Sequence, residues 1–439
     1  MTVLSQGLQA TSADQQQATA SPATNPRRVA AASLVGTTLE FYDHFIFGTA
    51  AALIFPKLFF SQSDPFVATI LSLLSYGIAF VARPFGAALF GSMGDKLGRR
   101  FVLVSTLLIM GLSTFLIGLL PTYGQVGLLA PVLLALLRFA QGLALGGEWG
   151  GAALMVNEFD TTGRRRGFYG SLVQVASPIG VLLANAMFGF MNVITDDAEF
   201  MAWGWRIPFL ASILLVGIGY FIRRSVSESP VFQSLEKTSH KAEAPLLETL
   251  RNHWRQVLLA IGVRAGEGII WYVFSLLLLV YVPTRLGLPR QVALNAVLLG
   301  AAVGVIAIPL FGALSDRIGR KTLLLVGVAA SIIWSFAYFP LLETRDSTLV
   351  IVASMIGMVC QAALWAPLAA FIPDMFEPKI RCTGASLGFQ LAGVFGGALA
   401  PAVCVWLLDR FDNPLYISAY CTAGLAVIAL CVIKARPQQ

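Results

Sequence analysis

Apolar stretches of about 20 residues recur along the whole chain and are separated by short polar breaks. A helix needs about 20 mostly apolar residues to cross the hydrocarbon core of a bilayer, so each stretch is a candidate membrane span. The pattern predicts an all-α membrane protein with twelve transmembrane helices. The predicted spans lie at about 29–55, 67–90, 101–120, 127–155, 167–190, 206–222, 256–282, 291–313, 322–341, 348–372, 384–408 and 415–434.

The composition excludes a water-soluble protein. Hydrophobic residues make up 57% of the 439 residues and charged residues only 12%, whereas soluble domains carry about 25% charged residues. With half of that charge, the chain has too little polar surface to cover a soluble particle of this size.

Lys and Arg residues are distributed unevenly among the polar breaks. With the N-terminus placed in the cytoplasm, 21 of them fall on the cytoplasmic side and 6 on the opposite side. This is the positive-inside bias of membrane proteins, and it predicts that both termini are cytoplasmic. The net charge of +7 follows from this bias, so it does not indicate a nucleic-acid partner.

The polar stretch after the sixth span divides the chain into two halves. We predict a disordered cytoplasmic tail at 1–26, an N-terminal six-helix bundle at 27–222, a cytoplasmic linker at 223–255, a C-terminal six-helix bundle at 256–434 and a short tail at 435–439. The first 26 residues are rich in Gln, Ala, Ser and Thr and have no apolar core, which is typical of disorder and not of a cleavable signal.

A short motif occurs once in each half. The loop after span 2 reads GSMGDKLGRRFVL from Gly91, and the loop after span 8 reads GALSDRIGRKTLL from Gly312, 221 residues later. A matched loop in each half predicts two similar bundles related by an axis along the membrane normal. The matched polar positions are Asp95 with Asp316, Arg99 with Arg320, and Arg100 with Lys321.

Two interpretations of these loops stay open. Each Asp is suited to accept hydrogen bonds from a helix N-terminus or an Arg across the bundle, forming a clasp that holds one conformation. Alternatively, the basic residues only anchor the cytoplasmic face. The repetition of the Asp in both copies favours the clasp.

These features resemble the major facilitator superfamily. The two G-x-x-x-D-[KR]-x-G-R-[RK] loops carry the resemblance, which covers about 27–434. The chain looks most like the metabolite:proton symporter branch, because of LEFYDHFIFGTAAALIFPKLFF in span 1, RFAQGLALGGEWGGAAL in span 4, WGWRIPFL entering span 6 and SESPVF after it. The resemblance implies a bacterial inner-membrane carrier of organic acids such as shikimate or 2-oxoglutarate, or of zwitterions such as proline and betaine. Span 5 has Ser177–Pro178 where drug antiporters of the family carry Gly–Pro, which argues against that class.

Span 1 carries three polar side chains on one helix face. Glu40, Asp43 and His44 follow one another at i, i+3 and i+4. A charged residue at the bilayer centre costs about 2.5–3.5 kcal/mol, so its presence suggests a function. We predict that Asp43 carries the coupling proton, with Glu40 as partner and His44 as a relay. The alternative is that Asp43 and Glu40 form permanent ion pairs with Arg83 or Arg138, and that these ion pairs only hold helices together.

Other polar residues inside the spans are candidates for substrate binding. Arg138 and Arg264, one in each half, are suited to bind a carboxylate because the guanidinium fork engages two oxygens at once. Glu267 is a further candidate or simply neutralises Arg264. The remaining candidates are Gln141, Tyr42, Gln174, Trp271 and Gln390. The competing interpretation for Gln174 and Gln390 is interhelical hydrogen bonding. The competing interpretation for the aromatic residues is plain packing.

A third group of charged residues is predicted to form a gate on the cytoplasmic side. We expect Arg83 to pair there with Glu148 or Asp95. The other predicted members are Arg99, Arg100, Asp316, Arg320 and Lys321.

The sequence favours a monomeric secondary transporter that imports a small organic anion together with a proton. No cofactor or metal is expected, and the proton is the coupling ion. An enzyme is disfavoured because no metal cluster or nucleophile–base pair stands out, and no GxxxxGK[ST] loop is present. A membrane sensor with the same fold, and a symporter of a zwitterion, remain as alternatives. The expected partners are the small-molecule substrate and the lipid bilayer.

Overall fold

The computed structural model describes residues 26–160, 163–224, 227–237 and 244–436. The predicted tail before residue 26 lies outside the described residues, as does most of the predicted tail at 435–439. Among the described residues there are helices and turns but no strands.

The described residues form twelve long helices, as the hydrophobic pattern predicts. Nearly all of each predicted span is helical. The helices are α1 Pro26–Leu53, α2 Pro65–Leu97, α3 Arg99–Leu119, α4 Leu129–Phe159, α5 Arg166–Ile194, α6 Arg206–Arg224, α7 Trp254–Arg285, α8 Arg290–Ile318, α9 Arg320–Glu343, α10 Ser347–Phe371, α11 Arg381–Phe411 and α12 Leu415–Lys434.

Three of the long helices are irregular. The hydrogen bonding of α7 is interrupted between Phe274 and Leu278, and α10 is interrupted after Trp365. Helix α11 contains a π-helical turn at Val394–Ala398. Such irregularities at membrane depth are tolerated where other helices cover the backbone.

Helix α1 differs from the other eleven long helices. Those eleven are apolar enough to be membrane spans by composition alone. Helix α1 has 28 residues, which corresponds to about 42 Å at 1.5 Å per residue, but its polar residues around Glu40 lower its hydropathy. The side chains of Glu40, Asp43 and His44 are nevertheless buried, so the charged residues of α1 lie inside the bundle.

The helix contacts repeat between the two halves. In the N-terminal half α1 packs on α5, α2 on α4 and α3 on α6; in the C-terminal half α7 packs on α11, α8 on α10 and α9 on α12. Adding six to each number converts the first set into the second, as expected for two related bundles. The halves meet where α5 packs on α8 and where α2 packs on α11.

The two repeated loops are shorter than predicted. Helix α2 continues to Leu97 and α8 to Ile318, so most of each loop motif is helical. The chain turns at Gly98 and Gly319, whose φ angles of 108° and 90° lie in a region that glycine adopts without a steric cost. We call the end of the molecule that carries these two glycines the loop side, and the other end the far side.

The predicted linker at 223–255 is partly helical. Its first two residues, Arg223 and Arg224, complete α6. Two short helices follow, at Pro230–Lys237 and Pro245–Asn252. The boundaries that separate the linker from the two bundles stay predictions.

Glycines allow α2 and α4 to pack closely. A Cβ atom added at Gly146 would lie far inside contact distance of the Arg83 carbonyl oxygen, and one at Gly86 would do the same to the Leu143 carbonyl oxygen. Backbone atoms have little freedom to move away, so these two glycines set the spacing of the helices that carry Arg83 and Arg138.

We therefore expect Gly146→Ala to destabilise the protein by about 1–3 kcal/mol through overpacking. A lower unfolding temperature in detergent would show this. Gly217→Ala is the matched control, because an added Cβ there meets no atom within 4 Å. Equal unfolding temperatures for the two variants would contradict the assignment of close packing at Gly146.

Candidate functional site

The first buried polar group lies in the middle of the N-terminal bundle, and we call it the central cluster. Helices α1, α2, α3 and α4 supply its side chains. Its members are Asp43, His44, Tyr76, Arg83, Thr114, Arg138 and Gln141. Four of them, Asp43, His44, Arg138 and Gln141, are predicted from the sequence to bind the proton or the substrate, and the structure places those four in one cluster.

Three side chains converge on the imidazole of His44. The Tyr76 hydroxyl lies 2.7 Å from Nε2, an Arg83 nitrogen 3.3 Å from Nε2, and an Arg138 nitrogen 3.1 Å from Nδ1. A guanidinium group only donates hydrogen bonds, so the ring needs a nitrogen that accepts. These contacts favour the neutral imidazole.

A chain of polar contacts leads from Arg138 to Asp43. Arg138 donates to the Gln141 oxygen at 2.9 Å, and the Gln141 amide donates to the Thr114 hydroxyl at 2.7 Å. The Thr114 hydroxyl donates to the Met110 carbonyl at 2.9 Å, and the Thr114 side chain also interacts with the Asp43 carboxyl group. Asp43 and His44 therefore connect to the two ends of one polar network.

Asp43 has no basic partner in the described part of the chain: no Arg, Lys or His nitrogen there lies within 4.0 Å of its carboxyl oxygens. The side chain is buried, with 4% of the residue exposed. The interpretation of Asp43 as one half of a permanent ion pair with Arg83 or Arg138 is therefore wrong for this conformation.

A second buried charge group lies nearer the loop side, and we call it the α1–α4–α6 triad. Arg223 donates to Glu40 at 2.9 Å and to Glu148 at 2.5 Å. All three residues are at most 3% exposed. The predicted pairing of Arg83 with Glu148 or Asp95 is wrong, because Arg83 contacts His44 and Glu148 contacts Arg223.

The C-terminal half contributes a third charge group. Arg264 forms an ion pair with Glu267, and the Gln361 amide donates to the other oxygen of Glu267 at 2.5 Å. The Arg264 guanidinium also lies over the rings of Trp365 and Phe389, at 4.8 and 4.7 Å from their centroids.

The predicted glutamines connect the two halves. Gln174 accepts from the Trp149 indole at 2.9 Å and donates to the Trp365 carbonyl at 3.1 Å. Gln390 donates to the Leu145 carbonyl at 3.0 Å. In this conformation both amides are used in interhelical hydrogen bonds, which was the competing interpretation.

Trp149 was not identified from the sequence. Its ring stacks on Phe389 of the other half, with centroids 3.7 Å apart and planes 14° apart. The only signal was its position in the quoted motif GGEWGG of span 4. The stack joins α4 to α11, and Phe389 is also one of the rings that the Arg264 guanidinium contacts.

The two remaining aromatic candidates are packed. The Tyr42 hydroxyl donates to the Pro208 carbonyl at 2.9 Å, and its ring is part of the N-terminal apolar core. Trp271 is half-buried and packs on the C-terminal apolar core. Their role in substrate binding stays a prediction.

The two matched aspartates make equivalent contacts on the loop side. Asp95 of α2 accepts from the backbone N–H groups of Cys382 and Thr383 at 3.1 and 2.9 Å. Asp316 of α8 accepts from those of Gly167 and Phe168 at 2.7 and 2.9 Å. Each carboxylate thus lies at the N-terminus of a helix from the other half, where the helix dipole favours negative charge.

The basic residues of the two motifs hold the surrounding loops. Arg99 interacts with Asp95 and Glu158, both buried, and Arg320 forms an ion pair with Asp374. The remaining two bind backbone carbonyls: Arg100 donates to that of Arg224, and Lys321 donates to that of Ala435. Each of these contacts lies within one half. The halves are joined on the loop side by the Asp95 and Asp316 contacts and by Arg99, which also donates to the Pro378 carbonyl at 3.3 Å, so this side is closed in this structure.

No group of three or more His, Cys, Asp or Glu side chains suitable for a metal occurs among the described residues. The five cysteines are free thiols, and three of them are fully buried. Free buried cysteines act as small apolar side chains.

The structure has two six-helix bundles with buried charge groups in and between them, and reciprocal aspartate contacts join the bundles on the loop side. This is the architecture of a membrane transporter. A sequence model described as Major Facilitator Superfamily matches residues 33–401 and 301–439. The chain belongs to this family, as the repeated loop motif predicted.

Curated relatives narrow the class further. The chain is 39% identical to the inner membrane metabolite transport protein YhjE of Escherichia coli (strain K12), over 93% of this chain and 94% of the relative. It is 34% identical to the shikimate transporter of the same organism, over 94% and 95%. It is 31% identical to that organism's proline/betaine transporter, over 92% and 82%.

A solved structure supports the same fold. The proton:xylose symporter XylE superposes with a TM-score of 0.74 over 94% of this chain and 96% of that chain, at 17% sequence identity. The chain is thus a multi-pass membrane protein that transports small metabolites, and it is not an enzyme.

Proposed function

We propose that this protein is a proton-coupled symporter that imports a small organic acid anion by alternating access. The observation that carries the proposal is the composition of the central cluster. Its two guanidinium groups contact a neutral imidazole, and its one carboxyl group has no basic partner. The two guanidinium groups favour the binding of an anion, and the carboxyl group without a basic partner favours the binding of a proton. This buried site is therefore suited to bind both.

The arginines supply the anion selectivity. Arg83 and Arg138 make no ion pair within the described residues, while Arg223 and Arg264 are each held by glutamates. Two unpaired guanidinium groups in a low-dielectric interior strongly favour a carboxylate between them. Arg264, whose side chain is 17% exposed, approaches from the other half and completes the site.

Asp43 supplies the coupling. Ionised, its carboxylate would compete with the substrate for the same two arginines; protonated, it leaves them free to bind an anion. The polar chain through Thr114 and Gln141 joins the Asp43 carboxyl group to Arg138. Binding of the proton therefore changes the affinity for the substrate, and binding of the substrate changes the affinity for the proton. We infer that the proton binds before or together with the substrate.

The closed loop side supports entry from the far side. The reciprocal aspartate contacts and the Trp149–Phe389 stack lie between the central cluster and the loop side. The positive-inside bias predicts that the loop side and both termini are cytoplasmic. Entry of the substrate from the far side is then import across the inner membrane. The relatives named as inner membrane transport proteins support this location.

A zwitterion is the second candidate substrate. One relative is named a proline/betaine transporter, and the carboxyl groups of Asp43 and Glu267 are suited to an ammonium group near the arginines. The anion is favoured because Glu267 is already held by Arg264 and Gln361.

Uptake into proteoliposomes with an alkaline interior tests both candidates. We expect accumulation of one member of a panel of labelled dicarboxylates, tricarboxylates and cyclic hydroxy acids, and its loss with a protonophore. Accumulation of betaine or proline instead would keep the coupling and overturn the anion. Uptake that a protonophore leaves unchanged would overturn proton symport.

Arg264→Ala tests the substrate charge at a single residue. We expect it to weaken binding of the transported carboxylate by about 1.5–3 kcal/mol, the usual value of a hydrogen bond to a charged group, and to leave a neutral amide analogue nearly unchanged. Competition in counterflow measures both affinities. Arg285→Ala is the control, since Arg285 pairs with Asp412 at an exposed far-side position. An equal loss for acid and amide would point to a structural role.

A further inference from the structure

The α1–α4–α6 triad has an unbalanced charge. It contains two carboxyl groups, Glu40 and Glu148, and one guanidinium group, Arg223, all three buried. If both glutamates are ionised, the group carries a net charge of −1 inside the membrane region. A buried uncompensated charge is costly, and two carboxyl groups that share one site do not both ionise easily.

The surroundings do not supply the missing positive charge. Thr37 donates its hydroxyl hydrogen to Glu148 at 3.0 Å, and Arg223 also donates to the Leu103 carbonyl. The second carboxyl oxygen of Glu40 is buried and has no hydrogen-bond partner. A carboxyl oxygen without a partner in such a place is the natural position for a proton.

The charged and titratable groups around the triad are few. On α1 the next is Asp43, one helical turn away, and it is acidic. On α3 it is Arg100, which donates to the Arg224 carbonyl. On α5 it is Tyr169, which packs in an apolar cluster with residues of α1 and α4. None of these is paired with Glu40 or Glu148.

We propose that the triad is a second proton-binding site, in which Glu40 and Glu148 share one proton over Arg223 while the loop side is closed. This deepens the proposed proton symport and rests on it. Binding a proton brings the triad to net charge zero and keeps one full ion pair with Arg223. The proton then lies on the Glu40 oxygen that has no hydrogen-bond partner, and Glu148 keeps the ion pair with Arg223.

The position of the triad gives this proton a route. A narrow cavity lined by Ala32, Ser33, Arg100, Leu103, Met155 and Arg223 adjoins the triad. Arg100 lies at the loop-side end of α3, so the cavity leads towards the loop side. Asp43 lies about 4.5 Å along α1 from Glu40, at 1.5 Å per residue. The triad is thus placed to receive the proton from Asp43 and to release it on the loop side.

Infrared spectroscopy of the reconstituted protein at neutral pH tests the shared proton directly. The carbonyl band of a protonated carboxyl group is distinct from carboxylate bands and shifts in heavy water. In the Asp43→Asn background we expect one such band, and we expect Glu148→Gln to remove it, because Glu40 alone then pairs fully with Arg223. Thr37→Val is the control, which keeps both carboxyl groups and the band.

Transport by Glu148→Gln in the otherwise native protein gives the second readout. We expect accumulation driven by a pH gradient to fall about tenfold or more, and counterflow exchange, which needs no net proton release, to stay within about twofold. Preserved counterflow also shows that the variant is folded. A variant lost only to misfolding would lose both.

The possible outcomes separate the two proposals. Absence of the band in the Asp43→Asn background, or its survival in Glu148→Gln, would overturn the shared proton. Uptake that ignores a protonophore would instead overturn proton symport itself, whatever the infrared band shows. Full driven accumulation by Glu148→Gln would overturn the release of the proton through the triad.

Discussion

Asp43→Asn is expected to abolish accumulation driven by a pH gradient and to spare counterflow exchange. Asparagine has nearly the same shape and still contacts Thr114, but it carries no titratable proton. Its neutral amide resembles protonated Asp43, so Arg83 and Arg138 stay available to an anion. We expect driven accumulation to fall to the level set by equilibration, a loss of about tenfold or more.

The measurement compares uptake with and without an alkaline interior, followed by counterflow, in the same proteoliposomes. Asp412→Asn is the control because it removes an exposed carboxylate on the far side, away from the buried clusters. Normal driven accumulation by Asp43→Asn would remove Asp43 from the proton role. Loss of counterflow as well would assign Asp43 to substrate binding.

Asp316→Asn is expected to open the loop side. The substitution replaces a charged acceptor of two backbone N–H groups by a neutral one, and each such bond is worth about 1.5–3 kcal/mol. A loss of that size shifts the population of the open state by about ten- to a hundredfold. Cys382 reports the change, because it is fully buried at the equivalent Asp95 contact on the other side of the pseudo-symmetry axis.

Alkylation of Cys382 by a membrane-permeant maleimide measures the opening, in a variant that lacks the other four cysteines. We expect about tenfold faster labelling in Asp316→Asn. Asp346→Asn is the control, since Asp346 caps a helix within one half. There the N–H groups of Leu349 and Thr348 hold the pKa of Asp346 below its usual range. Unchanged labelling in Asp316→Asn would show that its contact does not stabilise the closed state.

The membrane topology follows from the sequence because it depends on local properties. A bilayer requires continuous apolar helices, and their ends are marked by charges and by glycines such as Gly98 and Gly319. The repeated motif also revealed Asp95 and Asp316 before any contact was known. Such features need only composition, spacing and internal comparison.

The pairing of buried charges did not follow from the sequence. Arg223 was assigned to the linker because it ends an apolar run and adds to the positive charge of the cytoplasmic side. In the structure it turns inward to Glu40 and Glu148, and Gly36 leaves the space for its guanidinium group. The available signal was that four acidic residues, and only three arginines, lie in the interiors of the predicted spans. The partner of each buried charged side chain depends on how its helix is rotated about the helix axis. The apolar periodicity of the sequence defines this rotation poorly.

Arg83 shows the same limit from the other direction. Its place in α2 suggested a partner near the repeated loop, yet its side chain extends to His44 of α1. The length of the arginine side chain covers more than one helical turn, so its sequence position does not locate its charge. Four residues of the central cluster were predicted to bind the proton or the substrate, but Tyr76, Thr114 and the contacts among the members were not.

The reciprocal aspartate contacts have a consequence for how this protein tolerates mutation. Four of the five donors are main-chain N–H groups, which every amino acid except proline provides. The fifth is the Thr383 hydroxyl. Substitutions of the side chains at Phe168 or Cys382 therefore leave the donors in place, and genetic drift at these positions does not erase the closed state. The closed state depends instead on Asp95 and Asp316, which lie half a chain apart in the sequence. Loss of the aspartate in one half of the protein therefore weakens its contact with the other half.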